Sequence, residues 1–283
     1  MKNNFENNVV VIYTGDETRV REKTNGNTIM EQLFISCSSI RKNWSPDVEI
    51  LFIHTDPITE KSKYTLKKLG VTSVQSSRKI SSEYLIANKF LVGENYKGDK
   101  DILCLDCDTI IHQPVRFDTS SDILVAYDAL QDISEKKYQK LYTSFEVSFP
   151  KGYFTERPSY EYYYHDRDDM FPLLNIGVYF IKNKHKDIFY KQVEENFLKT
   201  FDLFKSEDPF YSGQVCFALT MLQLGLSHGY FPKGYNFICT SRAPYLINWP
   251  QDEIFIEHYA GNNSRPLIFN NNKIDPVKSG IIK

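Results

Sequence analysis

Two aspartates flank a cysteine where an apolar run gives way. Ile102-Leu103-Cys104-Leu105 leads into Asp106-Cys107-Asp108, and Thr109-Ile110-Ile111 follows. A short apolar run of this kind reads as a buried strand. Carboxylates are poor strand formers and are rarely buried without a partner. Alternate strand residues face the same side. If strand geometry continues, Asp106 and Asp108 project together and Cys107 turns away. Two carboxylates a few ångströms apart repel unless a cation or a proton sits between them. A divalent cation held through oxygen, Mn²⁺ or Mg²⁺, is the simplest occupant. The plainer reading is a strand ending in a turn, where Asp is common.

A second group of chemically able residues lies far along the chain. Ile254-Phe255-Ile256-Glu257-His258-Tyr259-Ala260-Gly261 ends an apolar segment in a histidine and then a glycine, with Arg265-Pro266 beyond. A histidine at a strand end is by itself more often structural. An imidazole can, however, complete a mixed oxygen and nitrogen site suited to Mn²⁺. Gly261 permits close backbone approach to a phosphate, and Arg265 offers it charge-assisted hydrogen bonds.

The elements that must position these groups alternate between strand and helix. Val9–Tyr13 is a buried strand closed by the turn residues Thr14-Gly15-Asp16. Ile29–Ile40 has helical spacing, and Ile50–Ile53 is a strand ending at His54-Thr55-Asp56. Lys61–Leu69 reads as a short helix stopped by Gly70, Val71–Val74 as a strand, and Tyr84–Val92 as helical. Such alternation implies an α/β fold, a mostly parallel sheet with helices on both faces. Ligands of such folds bind at the carboxyl ends of the strands. Tyr13, Thr14 and Asp56 stand at such ends beside Asp106, placed to meet a bound ligand. Arg78 is a basic group with either a bound ligand or solvent as its partner.

Past Asp128 the pattern weakens. Residues 129–171 are polar and aromatic, with ten Tyr or Phe between Tyr138 and Tyr164. A long weakly patterned insert reads either as a wall or lid for an acceptor, or as a helical excursion packing its own aromatics. Strand character returns at Leu173–Ile181, where Asn175-Ile176-Gly177 interrupts the apolar run, so a side chain or a close backbone approach is expected there. Asp187–Phe204 and Gly213–Leu226 are amphipathic helices, Tyr235–Ile238 and Ile254–Ile256 late strands.

Composition narrows the classes. The chain has 283 residues, 41% hydrophobic and 25% charged, which suits a globular core. A net charge of −2 argues against nucleic acid as a partner. The 19 Tyr and 20 Phe supply flat faces of the kind that bind sugars and bases. Five cysteines show no zinc spacing and fit a reducing, cytoplasmic setting. The first residues do not read as a signal peptide, and no run suits an integral membrane segment.

Leu105-Asp106-Cys107-Asp108, Asn175-Ile176-Gly177-Val178, Gly213-Gln214 at a helix start, and His258-Tyr259-Ala260-Gly261 through Arg265-Pro266 follow one another in a familiar order. In these pieces, which span most of the chain, it resembles the GT-A glycosyltransferases, and among them the glycogenin-like, retaining group. The resemblance implies one GT-A (Rossmann-like) domain over residues 1–283, with a nucleotide-binding half at about 8–128 and an acceptor-side half at about 129–269. It implies a nucleotide-sugar donor, a UDP-sugar, and Mn²⁺ (or Mg²⁺) bound by Asp106, Asp108 and His258. The sugar would pass to a carbohydrate or other hydroxyl acceptor. Donor contacts would come from Tyr13, Thr14, Asp56, Lys89, Asp106, Cys107, Gly261 and Arg265. Lys89, in Ala87-Asn88-Lys89-Phe90, reads otherwise as a solvated helix charge. Gln214 would orient the sugar, and Asn175 would touch sugar or acceptor.

The chain departs from that group at Gly213, where the group usually carries an aspartate directly before the glutamine. Glu207 and Asp208 lie upstream, and Asp208 would be the general base of an inverting enzyme. Two other readings stand beside transfer. A carbohydrate-binding module without turnover would suit the aromatic segment. A sugar-phosphate nucleotidyltransferase would want a Gly-rich basic loop after the first strand, where Thr14-Gly15-Asp16-Glu17 is acidic.

Overall fold

A computed structural model describes residues 5–17, 28–127, 135–148, 174–204, 210–232, 234–238 and 251–258. Its centre is a seven-stranded sheet. The strands in chain order are β1 (Val9–Thr14), β2 (Glu49–His54), β3 (Val71–Gln75), β4 (Asp101–Leu105), β6 (Ile123–Tyr127), β7 (Leu174–Ile181) and β8 (His228–Tyr230), in the spatial order β3-β2-β1-β4-β7-β6-β8. The β1/β2, β2/β3, β1/β4 and β6/β8 pairs are parallel. β7 runs antiparallel between β4 and β6, so the sheet is mixed, though mostly parallel. A smaller sheet joins β5 (Thr109–Ile111), β10 (Ile256–His258) and β9 (Phe237–Ile238).

Helices cover both faces, as the strand alternation requires. On β1, Val10 and Ile12 enter one apolar cluster and Val9, Val11 and Tyr13 the other. The first cluster is roofed by α5 (Lys186–Phe204) and α6 (Phe210–Gln223), through Phe189, Val193, Phe197, Phe217 and Leu219. The second packs under α1 (Ile29–Asn43) and α2 (Glu60–Lys68), through Leu33, Cys37, Ile40 and Leu66. The segment read as helical at Tyr84–Val92 is a 3₁₀ helix over Leu85–Leu91 running into the short α3 (Val92–Asn95). Of the aromatic stretch 129–171, the described part is 135–148. It forms α4 (Glu135–Ser144), whose Leu141 and Tyr142 are buried in the first cluster. The rest of that stretch lies outside the described residues, and so does the segment from residue 259 onward.

Three local features set the surroundings of Asp106 and Asp108. First, the strand expected to run through Asp106-Cys107-Asp108 stops at Leu105. The three residues form a turn, closed by Thr109 N–H donating to Asp106 O at 3.1 Å, and β5 then leaves for the other sheet. Secondly, β7 is irregular in its middle. Leu124 pairs with Phe180 and Ala126 with Asn175, so one residue on β6 is matched by four on β7 between those pairs. Such a bulge re-aims the chain, here around Gly177. Thirdly, α1, which packs against β5, opens with a capping box. The Thr28 hydroxyl accepts from Glu31 N, and the Glu31 carboxylate accepts from Thr28 N. Two of the donors that every helix start leaves bare are thereby satisfied.

Thr28→Ala keeps the fold but removes the cap. The expected loss is about 1 kcal/mol of stability, read as a lower midpoint in urea at unchanged slope.

Candidate active site

The turn at 106–108 places both aspartates on one side, although it is no strand. Asp106, Asp108 and His258 offer ligand atoms that all lie within 4.8 Å of one another. His258 Nε2 stands 3.6 Å from Asp106 Oδ2 and 3.4 Å from Asp108 Oδ1. The histidine arrives through register: β10 lies antiparallel to β5, and His258 is paired with Thr109 directly after the turn. Its other ring nitrogen, Nδ1, is 2.9 Å from Asn236 Oδ1. A hydrogen bond donated from Nδ1–H to that amide oxygen fixes the ring and turns Nε2 toward the aspartates, the usual support for a metal-binding imidazole. Asn236 was not singled out from the sequence. Its signal is the one that marks Asn175, an amide inside an apolar run.

Lys89 is not a solvated charge. Its ammonium pairs with Asp106 Oδ1 and donates to Ile176 O at 3.3 Å, and its side chain is 12% exposed. The 3₁₀ helix thus delivers a cation to the 106–108 turn. The β7 bulge supplies the opposite wall. Asp106 N–H donates to Gly177 O at 2.7 Å, and Gly177 N–H to Asn175 Oδ1 at 2.8 Å. A Cβ at position 177 would stand 2.2 Å from His258 Cε1 and 2.9 Å from Asp106 Oδ2, so glycine lets β7 lie close against the turn and β10.

The charges explain one another. Burial works to raise the Asp106 pKa, but Lys89 and the hydrogen bond from His258 win and hold it below the usual carboxylate value. Burial works to lower that of His258, but its bonds to Asp106 and Asp108 push it up to about 9. A part-buried and a buried carboxylate with a buried imidazole match the donor set that a hard-to-borderline divalent ion takes.

Beside this cluster the carboxyl ends of β1 and β2 and the 3₁₀ helix line a cleft that opens to solvent. Thr14, Gly15, Asp16, Thr55, Asn88 and Lys89 are among its lining residues. A smaller hollow lies between Thr14, Lys89, Asp106, Ile176 and Tyr179. Thr14 and Lys89 border both. Asp16, read from the sequence only as a turn residue, closes the β1 and β2 ends together. Its carboxylate accepts from Thr55 N and Oγ1 at 2.8 Å each and from Asp56 N at 2.9 Å.

Several expected contacts lie elsewhere. Tyr13 is a correction: its ring is fully buried among core side chains and its hydroxyl bonds Ser36 Oγ at 2.6 Å, so it has no face for a base. Cys107 is another: its thiol turns into the same core, 3.6 Å from Thr14 O, and burial pushes its pKa up, so the side chain is no donor contact. Asp56 pairs with Lys79 at 2.7 Å and lines neither cavity. Arg78 is committed to Glu94 and Glu194. Gln214 and Asn175 are both buried. The start of α6 abuts β7, since a Cβ on Gly213 would meet Ile176 Cδ1 at 3.2 Å. A carboxylate at 213 would therefore crowd that wall. Asp208, Gly261 and Arg265 lie outside the described residues.

No family model matches the chain, and no curated protein matches it. Solved structures do. The chain is similar to a galactosyltransferase, LgtC, solved with donor and acceptor sugar analogues, at 14% identity and a TM-score of 0.57, over 89% of this chain and 87% of that one. It is similar to the apo form of the glycosyltransferase GlyE of Streptococcus pneumoniae TIGR4, at 14% identity and a TM-score of 0.58, over 96% of this chain and 61% of that one. Mouse xyloside xylosyltransferase 1 is similar at 12% identity and a TM-score of 0.54, over 90% of this chain and 97% of that one. The fold is thus the GT-A-like fold of these glycosyltransferases. Among the described residues, no helix is long and apolar enough to cross a membrane.

A metal takes the imidazole only in its neutral form. With His258 held protonated up to about pH 9, Mn²⁺ binding at pH 7.5 should expel close to one proton. Calorimetry in buffers of different ionisation enthalpy measures that count, and a count near zero contradicts the site. The folded value lies above the ordinary 6.5. The metal-free protein therefore keeps this stabilisation below pH 6.5 and loses it as pH rises through about 9.

Proposed function

We propose that this protein is a metal-dependent glycosyltransferase of the glycogenin-like kind, moving a sugar from a UDP-sugar to an acceptor hydroxyl with retention of configuration. The observation that carries the reading is the convergence of Asp106, Asp108, His258 and Lys89 beside a cleft at the carboxyl ends of β1 and β2. Nucleotides bind at that end of such sheets. The fold shared with glycosyltransferases supports it.

Asp106, Asp108 and His258 would hold Mn²⁺ or Mg²⁺. When bound, such an ion supplies Lewis-acid stabilisation of the negative charge that grows on a leaving diphosphate. Lys89 leaves the loaded cluster with one net positive charge, since two carboxylates balance a divalent ion and His258 is then neutral. That is the electrostatics a diphosphate needs. Asp106 remains the most open member, at 24% side-chain exposure against 8% for Asp108 and 3% for His258, so a ligand approaches from its side. Gly261 and Arg265 would add backbone and guanidinium contacts to the phosphates. Thr14 at the cleft mouth would meet the nucleoside. Gln214 and Asn175 would orient the sugar and acceptor. In a retaining transfer the leaving phosphate can itself take the acceptor proton, which suits a site where Gly213 replaces a carboxylate. Asp208 as the base of an inverting enzyme is the competing assignment, and the anomeric configuration of the product, read by NMR, separates the two.

A thermal-shift panel of nucleotide sugars with Mn²⁺ should single out one donor, because a ligand of the native state raises stability as RT ln(1 + [L]/Kd). UDP should be released from that donor in the presence of acceptor, and Asp106→Ala and Asp108→Ala should each lower that turnover by about 100-fold or more. Metal-dependent binding with no release across many acceptors would instead identify a binding module. Unchanged turnover in both variants would sink the whole reading.

A further inference from the structure

A chain of buried hydroxyls runs from the core to the metal turn. Thr109 Oγ1 donates to Asp106 O at 2.8 Å. Ser36 Oγ lies 3.1 Å from Thr109 Oγ1, and Tyr13 Oη lies 2.6 Å from Ser36 Oγ. Each hydroxyl has one proton to give. The carbonyl of Asp106 can only accept, so Thr109 spends its proton there. Ser36 must then donate to Thr109, and Tyr13 to Ser36. The direction is thus fixed along the whole chain. Tyr13 can be the donating end because burial pushes its phenol pKa well up and keeps it protonated.

The receiving end is unusual. Thr109 closes the turn with both its backbone N–H and its hydroxyl on the same Asp106 carbonyl. It is also the residue paired with His258 across β5 and β10. One residue, through its backbone pairing and its hydroxyl, therefore ties together the two segments that carry all three candidate ligands. Its partner Ser36 belongs to α1. A second tie from α1 serves as a contrast: Ser39 Oγ accepts from Ile111 N at 2.9 Å and donates to Ser36 O at 2.6 Å, holding β5 without reaching the turn.

We propose that Tyr13, Ser36 and Thr109 are positioning residues for the metal site, a directed hydroxyl chain that sets the geometry of the Asp106–Asp108 turn and through it the affinity for the cation. The inference rests on the proposed function, in which Asp106, Asp108 and His258 hold a metal. Residues that orient ligands from behind commonly cost 10–100-fold in metal affinity when removed. The chain also gives Tyr13 a place in the site that its burial denies it as a nucleotide contact.

The test is Mn²⁺ affinity of the purified protein by titration calorimetry, with the melting temperature recorded beside it. Thr109→Val removes the hydroxyl and keeps the branched shape. It should weaken Mn²⁺ binding about tenfold or more, and Thr109→Ser should restore it to within about threefold. Ser36→Ala breaks the chain one link back and should weaken binding in the same direction. It carries the expectation alone should Thr109→Val not fold. Ser39→Ala should lower the melting temperature while leaving affinity within about twofold. Wild-type affinity in Thr109→Val and Ser36→Ala, or an equal loss in Ser39→Ala, overturns the inference and leaves the metal reading standing. A wild-type protein that takes up no Mn²⁺ overturns both.

Discussion

Two carboxylates side by side in a largely buried place form the constraint on which this site depends. Asp106 and Asp108 repel each other, and burial makes each charge costlier still. The repulsion between them needs opposing charge brought from elsewhere. That charge comes from two other parts of the chain, Lys89 on the 3₁₀ helix and His258 on β10. For the pair to stay ionised, the helix, both sheets and the turn must all be in register. Gly177 shows how little room the solution leaves, since one added carbon would strike His258 and Asp106 together.

Much of this was legible in the sequence, and for physical reasons. Acidic residues at the end of an apolar run are conspicuous because apolar runs are buried and charges resist burial. Asn175-Ile176-Gly177 was conspicuous for the same reason, and the close approach expected there is the contact with His258. The alternation of strands and helices gave a mostly parallel sheet with helices on both faces, which the topology bears out. Helix and strand ends moved by a few residues only, as they do where fraying and capping compete.

What the sequence hid depends on tertiary placement. Tyr13 stands at a strand end, yet which face it takes is decided by α1, and it packs inward. Cys107 sits within the motif, yet its side chain belongs to the core. The three motif residues form a turn rather than a strand, because Thr109 satisfies the Asp106 carbonyl and draws β5 into a second sheet. The antiparallel course of β7 and its bulge arise from pairing between strands distant in sequence. Lys89 was marked by resemblance alone, since nothing local announces a carboxylate that lies on another element, and its pairing with Asp106 was not read from the sequence.

Diffraction from crystals grown with Mn²⁺ and UDP, with data collected where manganese scatters anomalously, tests the central claim most directly. The account requires an anomalous peak within bonding distance of Asp106, Asp108 and His258, with the diphosphate on the Asp106 side and Lys89 beside it. A peak bound to other residues, or none while the nucleotide occupies the cleft, would contradict it.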